Sequence, residues 1–301
     1  MVFLRLNTPR PMKKEVAFAI LAGVFFGLVF AFGVWRLALK FRGGNNIVYR
    51  QTTPKPVLNS PLTISNLNDF DVVTQSGIKI IGKSKPESFI TASTLLEDYF
   101  TKTNPDGEFE IEIKAPSNLF EVKLTTIDGN NLVAEKKINL VSSEKIEDAN
   151  LSAFVGTITD ITNETIQIKT KNGEILQGAI TSDTNYQNLL NKPQTVKLTD
   201  IAIGDFAVLI GVVNGNKVLK TGQVLITKDI EEVKTEVVAG KLLSKTKSQI
   251  VVETAESQEK ITLPKSWKGP EIKEMNTGDL IILVGTKTTD KFDLRSIYVI
   301  R

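Results

Sequence analysis

The sequence predicts an all-β fold class, a β-sandwich and two tandem five-stranded β-barrels, behind one N-terminal transmembrane α-helix. Three observations predict it. Residues 16–35 carry no charge, residues 62–141 alternate apolar and polar positions in short runs between turns, and a nine-residue phrase occurs twice. The phrase is IGDFAVLIG at 203–211 and TGDLIILVG at 277–285. The pattern indicates an anchored series of small sheet domains.

Composition limits the chemistry that the chain can perform. Its 301 residues include no Cys and no His, which excludes disulfides, thiolate nucleophiles, Ser-His-Asp triads and zinc sites built from those residues. The chain has 37 Lys or Arg and 34 Asp or Glu, and the first 50 residues hold eight of the basic residues and one of the acids. The remaining residues therefore include 29 basic and 33 acidic side chains. A mildly acidic body does not favour phosphate backbones, and we predict no nucleic-acid partner, no enzyme activity and no small-molecule or metal cofactor.

The apolar run is long enough to cross a bilayer. Twenty helical residues at about 1.5 Å each span roughly 30 Å. We predict a cytoplasmic segment at 1–15 and a transmembrane helix at 16–39. The alternative is a cleaved signal peptide with a small-x-small site at 31–33, but the run exceeds the usual ~7–15 residues and basic residues follow it at once. The residues expected at the membrane interface are Lys13, Lys14, Trp35, Arg36 and Lys40.

Charge counts alone barely decide the orientation of this helix. Four Lys or Arg precede it and three follow closely. The β-rich region that follows is typical of an extracytoplasmic body, so we predict the N-terminus inside and the C-terminal domains outside. Residues 40–61 are polar and contain three Pro, which indicates a partly extended linker.

Residues 62–141 contain the alternating runs of a β-sandwich. Turn signals such as Asn-Pro-Asp-Gly at 104–107 separate them. The longer apolar segment Thr94–Phe100 is expected to cover a sheet edge. The predicted strands are 78–83, 88–93, 109–114, 119–128 and 133–141.

The turn motifs of this region resemble those of bacterial immunoglobulin-like modules repeated in surface proteins. Those modules place a G-x-[ST]-x-P-x phrase before a D-G-x-F hairpin and a closing T-x-x-D-x-x-[GN] turn. Gly82–Glu87, Asp106–Phe109 and Thr125–Asn131 occupy these places. The resemblance implies an immunoglobulin-like sandwich over 62–141.

An internal duplication follows a charged hinge at 142–153. Gly156 aligns with Gly240, which places the first barrel at 154–227 and the second at 238–301. A second hinge is predicted at 228–237. The Gly-Asp pair should form a tight turn. The five apolar residues after it should be buried on both sides, as in a strand that crosses a small closed barrel. The Gly that ends the phrase should allow the strand to bend. The residues assigned to these structural turns are Gly204, Asp205, Gly211, Gly278, Asp279 and Gly285.

The length of each copy fits about five strands, the count of a partly open OB-type barrel. The copies resemble a small bacterial β-barrel family of unknown function, through Thr184-Asn185-Tyr186 and Leu198–Gly211 in the first copy. The second copy has LPKSWKGP at 263–270 instead of the T-x-Y phrase. The resemblance implies an OB-like architecture and brings no activity.

Candidate ligand sites are few. Trp267 between Lys265 and Lys268 could stack on a sugar or base, or could cap the open end of the second barrel. The alternating row Glu108, Glu110, Glu112 is expected to be the solvent face of a strand rather than a pair of catalytic carboxylates.

These observations predict a single-pass, non-catalytic structural or interaction protein of the bacterial cell envelope. Its expected partners are the lipid bilayer and either envelope proteins or cell-wall polymer. The alternative is a carbohydrate- or oligonucleotide-binding accessory protein that uses an OB-type barrel face.

Overall fold

The computed structural model describes residues 62–75, 77–143, 151–214, 216–265, 267, 269–270, 272–288 and 291–301. The described residues form twenty β-strands, two short 3-10 turns at Leu198–Asp200 and Ile272–Glu274, and no α-helix. This part of the chain has no helix of the length and apolarity that a bilayer crossing requires. The predicted segments 1–15, 16–39 and 40–61 lie outside the described residues.

Eight strands form a sandwich of two sheets. The smaller sheet has the order β1-β3-β6, and in the larger one β2-β8-β7-β4-β5 run side by side. Alternate residues of β3 and β6 point inward, including Ile80, Phe109 and Ile111, and pack on Phe120 and Leu124 of the larger sheet. All five predicted strands are present. The bounds are β1 Thr63–Ile64, β2 Asp71–Val73, β3 Ile78–Lys83, β4 Phe89–Ser93, β5 Asp98–Lys102, β6 Glu108–Ile113, β7 Leu119–Asp128 and β8 Asn131–Ser142.

The sequence suggested that the segment Thr94–Phe100 covers a sheet edge. In the structure it forms a turn and then part of the edge strand itself. Thr94 and Glu97 close a short turn, in which the Thr94 N–H donates to the Glu97 carbonyl at 2.9 Å. The chain then enters β5, which pairs antiparallel with β4 and is itself the edge strand of the larger sheet. Tyr99 of this segment packs on the sandwich core, whereas Leu96 is exposed.

The first barrel is a closed ring in the order β9-β10-β11-β15-β14-β9. All neighbours in the ring are antiparallel except β11 and β15, which meet in parallel at Gly178–Leu219 and Ala179–Lys220. The short strands β12 and β13 extend the edge of β15. The bounds are β9 Ser152–Ile161, β10 Thr165–Lys169, β11 Ile175–Ala179, β12 Asn185–Asn188, β13 Gln194–Thr195, β14 Phe206–Val213 and β15 Leu219–Ile226.

The second copy has the same order without the closing pair. Its five strands form the sheet β18-β17-β16-β19-β20, which matches β11-β10-β9-β14-β15 of the first copy. Within the described residues, β18 and β20 are not hydrogen-bonded to each other and no strand corresponds to β12. The bounds are β16 Glu236–Lys245, β17 Gln249–Glu253, β18 Gln258–Thr262, β19 Leu280–Lys287 and β20 Phe292–Ile300.

The registers of the two copies agree residue by residue. Gly156 of β9 lies opposite Ala207, and its aligned partner Gly240 of β16 lies opposite Ile281, the counterpart of Ala207. Both glycines stand where a strand crosses closely, since a Cβ on either would lie 2.2–2.3 Å from a carbonyl oxygen of the next strand. Identical register in both copies is the outcome expected of a duplicated sequence.

Candidate functional site

The repeated apolar phrase has two buried faces in each copy. In β14, Ala207 and Leu209 face the barrel core, whereas Val208 and Ile210 lie in a second cluster. That second cluster includes Leu119 of the sandwich. Burial on both sides was predicted and is confirmed, but the expected cause was incomplete. One face fills the barrel, and the other docks the barrel onto the sandwich.

The second copy repeats this arrangement on another part of the sandwich. Ile281 and Leu283 of β19 belong to the barrel core, and Ile282 and Val284 form a cluster with Ile127 of β7. Each barrel therefore presents the strand of the repeated phrase, β14 or β19, to the sandwich. We call these two contacts the docking faces, Val208 and Ile210 in the first barrel and Ile282 and Val284 in the second.

The Gly-Asp pair builds the same turn before each docking strand. Gly204 and Gly278 have φ of +99° and +97°, a conformation that favours glycine. The Asp205 carboxylate accepts the Ala202 N–H at 2.9 Å, and the Asp279 carboxylate accepts the Asn276 N–H at 2.8 Å. Both carboxylates thus bind backbone of their own turn.

Gly211 and Gly285 lie at matching irregularities of the ladder. The register between β14 and β15 shifts at Ile210/Gly211, and that between β19 and β20 shifts at Val284/Gly285. A Cβ on Gly211 would lie 2.0 Å from the Lys220 carbonyl oxygen. These bulges let the docking strand bend away from its neighbour.

Trp267 packs against the core of the second barrel and is half-buried. Its indole Nε1–H donates to the Pro270 carbonyl at 3.2 Å. Lys265 is exposed, and Lys268 lies outside the described residues. Trp267 therefore contacts the barrel core, and a role of Trp267, Lys265 and Lys268 in ligand binding stays a prediction.

The glutamates of β6 face solvent and pair with β3. Glu110 Oε1 lies 2.7 Å from Lys79 Nζ, and Glu108 Oε1 lies 2.9 Å from Lys83 Nζ. All four side chains are at least half exposed. The pKa of Glu108 is lowered by its hydrogen bond to Lys83. Such cross-strand pairs stabilise the ladder modestly.

A buried polar network joins the second barrel to the sandwich edge. The Asp98 side chain is 1% exposed, and its Oδ1 lies 3.2 Å from Arg295 Nη2 in an ion pair without hydrogen-bond alignment. Asp98 Oδ2 accepts the Ser296 hydroxyl at 2.8 Å, and the Asp98 carbonyl accepts the Tyr298 hydroxyl at 2.8 Å. Arg295 Nη2 also donates to the Thr94 carbonyl at 3.0 Å. The Asp98 carboxylate, which belongs to the sandwich, is therefore held by groups of the second barrel.

Three stacked rings continue this contact. The centroids of Phe89 and Phe100 are 5.6 Å apart, and those of Phe100 and Tyr298 are 4.7 Å apart. Burial, followed by the nearby Asp98 charge, raises the pKa of Tyr298 to about 12. Phe100 is thus the residue of Thr94–Phe100 whose ring contacts the second barrel.

The segment predicted as a hinge, 228–237, is held against the sandwich. The Val233 N–H donates to Glu121 Oε1 at 2.9 Å, and Val233 is 2% exposed. Lys123 Nζ donates to the Thr235 carbonyl at 2.8 Å, and Lys137 forms an ion pair with Glu232. Buried hydrogen bonds of this kind fix the connection.

The described residues on either side of the predicted hinge at 142–153 belong to strands of one sheet. Strand β8 extends to Ser142, and β9 begins at Ser152 and pairs with Asp71 of β2. The ladder therefore continues from the sandwich into the first barrel. Residues 144–150 lie outside the described residues.

A groove of about 860 Å³ lies between the sandwich, the first barrel and the connecting segment. Phe70 and Phe206 contribute apolar walls, and the rim carries both acids and lysines. Two of its charged groups already contact each other, since Lys137 Nζ lies 3.3 Å from Glu121 Oε1. No group of three or more Asp or Glu that could hold a metal ion occurs in the described part of the chain.

Comparisons with known proteins find only distant structural likeness. No family model matches the chain, and no curated protein matches it. A Ca²⁺-stabilised adhesin that helps an Antarctic bacterium bind ice is 13% identical, with 79% of this chain and 73% of that chain covered and a TM-score of 0.21. Domains 5–6 of the S-layer protein SbsC are 11% identical, with 80% and 97% covered and a TM-score of 0.21.

A third solved structure, a 1.5-MDa bacterial ice-binding adhesin, is 10% identical, with 81% of this chain and 96% of that chain covered and a TM-score of 0.21. These three structures are β-rich bacterial surface proteins that the chain distantly resembles.

Sequence reasoning did not find the network around Asp98 and Arg295. The two residues are almost 200 positions apart, and each has the local setting of an ordinary surface residue. The sequence did contain a signal for the neighbouring contact between each barrel and the sandwich. Both faces of the repeated phrase are apolar, which a strand of an isolated barrel does not require.

Proposed function

We propose that this protein is a membrane-anchored, extracytoplasmic, non-catalytic structural and interaction protein of the bacterial cell envelope. In this proposal an immunoglobulin-like sandwich carries two OB-type barrels, and a single N-terminal helix holds them at the cell membrane. The lipid bilayer is one partner, and the others are envelope proteins or cell-wall polymer.

The observation that carries the proposal is the docking of both barrels onto the sandwich. Val208 and Ile282 are fully buried at positions that would face solvent in an isolated barrel. Burial of an Ile or Val side chain contributes about 1.5–3 kcal/mol. Contacts between the barrels and the sandwich that contribute this much free energy suit a protein whose three domains keep fixed relative positions.

The polar residues near the docking faces support the same reading. Asp98 binds Arg295 and Ser296 of the second barrel, and Glu121 binds the Val233 N–H of the connecting segment. These buried acids are used to join lobes. Such contacts suit a rigid carrier, because they fix the barrels and the connecting segment on the sandwich.

The fold names rest on strand count and order. Eight strands in two packed sheets support the immunoglobulin-like assignment. A five-stranded closed ring, with the third and fifth strands parallel, supports the OB type for the first barrel.

The absence of cysteine allows a direct test of the location. A single cysteine replaces Leu96, which is 72% exposed, or Arg5 in the predicted cytoplasmic segment. Intact cells are treated with a membrane-impermeant maleimide. We expect Leu96→Cys to be labelled at once and Arg5→Cys only after permeabilisation. Labelling of Leu96→Cys that also requires permeabilisation would overturn the proposed location.

A further inference from the structure

The two barrels differ at one strand edge. In the first barrel, the edge of β15 that does not face β14 is occupied along its length. Strand β11 pairs with its beginning, and β12 runs parallel to Gln223–Ile226, with Tyr186 opposite Val224. Tyr186 packs on the barrel core from this position. The first copy thus supplies its own strand to this edge.

Among its described residues, the second copy has no counterpart of β12. The interval between the aligned glycines is 48 residues from Gly156 to Gly204 and 38 residues from Gly240 to Gly278. The shared register makes Ser296–Val299 the counterpart of Gln223–Ile226. Among the described residues, β20 pairs with β19 alone. In the described part of the second copy, the homologous edge is therefore open.

A groove of about 400 Å³ lies along this open edge. Ile297 and Val299 of β20 line it together with Met275 and Phe100, so its walls are mainly apolar. Glu274 and Arg301 stand at its rim and contribute one charge of each sign. The groove fits an uncharged segment with an apolar side chain.

An open strand edge selects peptide over other ligands. In an antiparallel pair, alternate residues direct their N–H and C=O groups away from the partner strand. On β20 these groups form a regular row beside the groove. An added peptide strand satisfies such a row, and its alternate side chains enter the adjacent pocket.

We infer that Ser296–Val299 of β20 is a β-augmentation site, which takes an extended, uncharged segment of a partner protein as a parallel strand. The segment places an apolar or aromatic side chain in the groove between Met275 and Phe100. Its strand direction and composition follow those of β12, Asn-Tyr-Gln-Asn, which fills the homologous edge of the first barrel. The inference goes beyond the proposed function and requires neither the membrane anchor nor its orientation.

The test uses a peptide with the sequence of residues 184–190, TNYQNLL, with blocked ends, added to the purified full-length chain. Amide hydrogen exchange is measured by NMR or mass spectrometry with and without the peptide. We expect exchange of the outward-facing amides of 296–299 to slow at least about tenfold, as for amides that gain a stable hydrogen bond. Exchange at 223–226 should not change, because β12 already occupies that edge.

Two N-methylated peptides provide the matched controls, one methylated on residues 185 and 187 and the other on 186 and 188. Only one set of alternate amides faces β20 in a parallel pair. One peptide should therefore bind at least about fivefold more weakly for each hydrogen bond removed, and the other should retain binding. No binding, binding without protection at 296–299, or equal binding of both methylated peptides would overturn the inference.

Discussion

Ile281 and Ile282 are consecutive residues of β19 and both are fully buried, but they belong to different hydrophobic clusters. Ile281 lies in the core of the second barrel, and Ile282 contacts the cluster that includes Ile127 of the sandwich. The same division holds for Leu209 and Val208 in the first barrel. The repeated phrase therefore encodes a docking strand as well as a barrel strand.

Replacement of Ile282 by Ala should destabilise the protein as strongly as a core substitution. The change removes buried methyl groups between two lobes, and the expected loss in free energy of unfolding is about 2–5 kcal/mol. Chemical denaturation measures it. Ile203→Ala is the control, because Ile203 is 65% exposed and should change stability by no more than about 0.5 kcal/mol. Equal small effects would show that the docking face is not formed.

Asp98→Ala should destabilise the contact between the second barrel and the sandwich. It leaves the Arg295 guanidinium without its buried counter-charge and the Ser296 hydroxyl without its acceptor, a loss expected to be about 3 kcal/mol. Glu110→Ala removes an exposed pair with Lys79 and should cost less than about 1 kcal/mol. The comparison is made from the midpoints of urea unfolding. If the two variants lose the same stability, the Asp98 pair is not buried in solution.

Gly211→Ala should destabilise the first barrel by about 1–3 kcal/mol, because the new methyl group meets the Lys220 carbonyl oxygen and forces a backbone shift. Gly222→Ala on the neighbouring strand is the control, since a Cβ there has its nearest contact at 3.9 Å. Thermal unfolding of both variants tests the bulge. A neutral Gly211→Ala would contradict the close approach of the strands.

Tyr298→Phe should lower stability by about 1 kcal/mol at neutral pH through loss of the hydrogen bond to Asp98. The pKa of Tyr298 is raised to about 12 in the folded protein and is about 10 in the unfolded chain. A raised folded pKa gives a contribution that is complete below pH 10 and is lost as pH rises through about 12. The stability difference between native chain and variant should therefore shrink between these pH values. A constant difference would contradict a buried neutral Tyr298.

The strands and the duplication were predictable because they depend on local chemistry. Gly156, Gly204 and Gly211 recur at matched intervals in the second copy, and the alternation of Phe109 and Ile111 with glutamates indicates a half-buried strand. These patterns are contained within a few residues of each other.

The docking of the lobes was not predictable in the same way. Arg295 and Tyr298 meet Asp98 only after both lobes have folded, and nothing within ten residues of Asp98 indicates its partner. The interpretation of the repeated phrase attributed both buried faces to a closed barrel. A barrel strand has one inner face, so the second apolar face already indicated a neighbouring lobe.

Unfolding followed by two probes tests the central claim most directly. With Trp35 replaced by Phe, fluorescence reports on Trp267 in the second barrel alone, whereas far-UV circular dichroism reports on all sheets. If the docking faces join the lobes, the two urea transitions coincide in the native chain and separate in Ile282→Asp, which places a charge in the interface. A Trp267 transition that is already separate in the native chain would contradict the account.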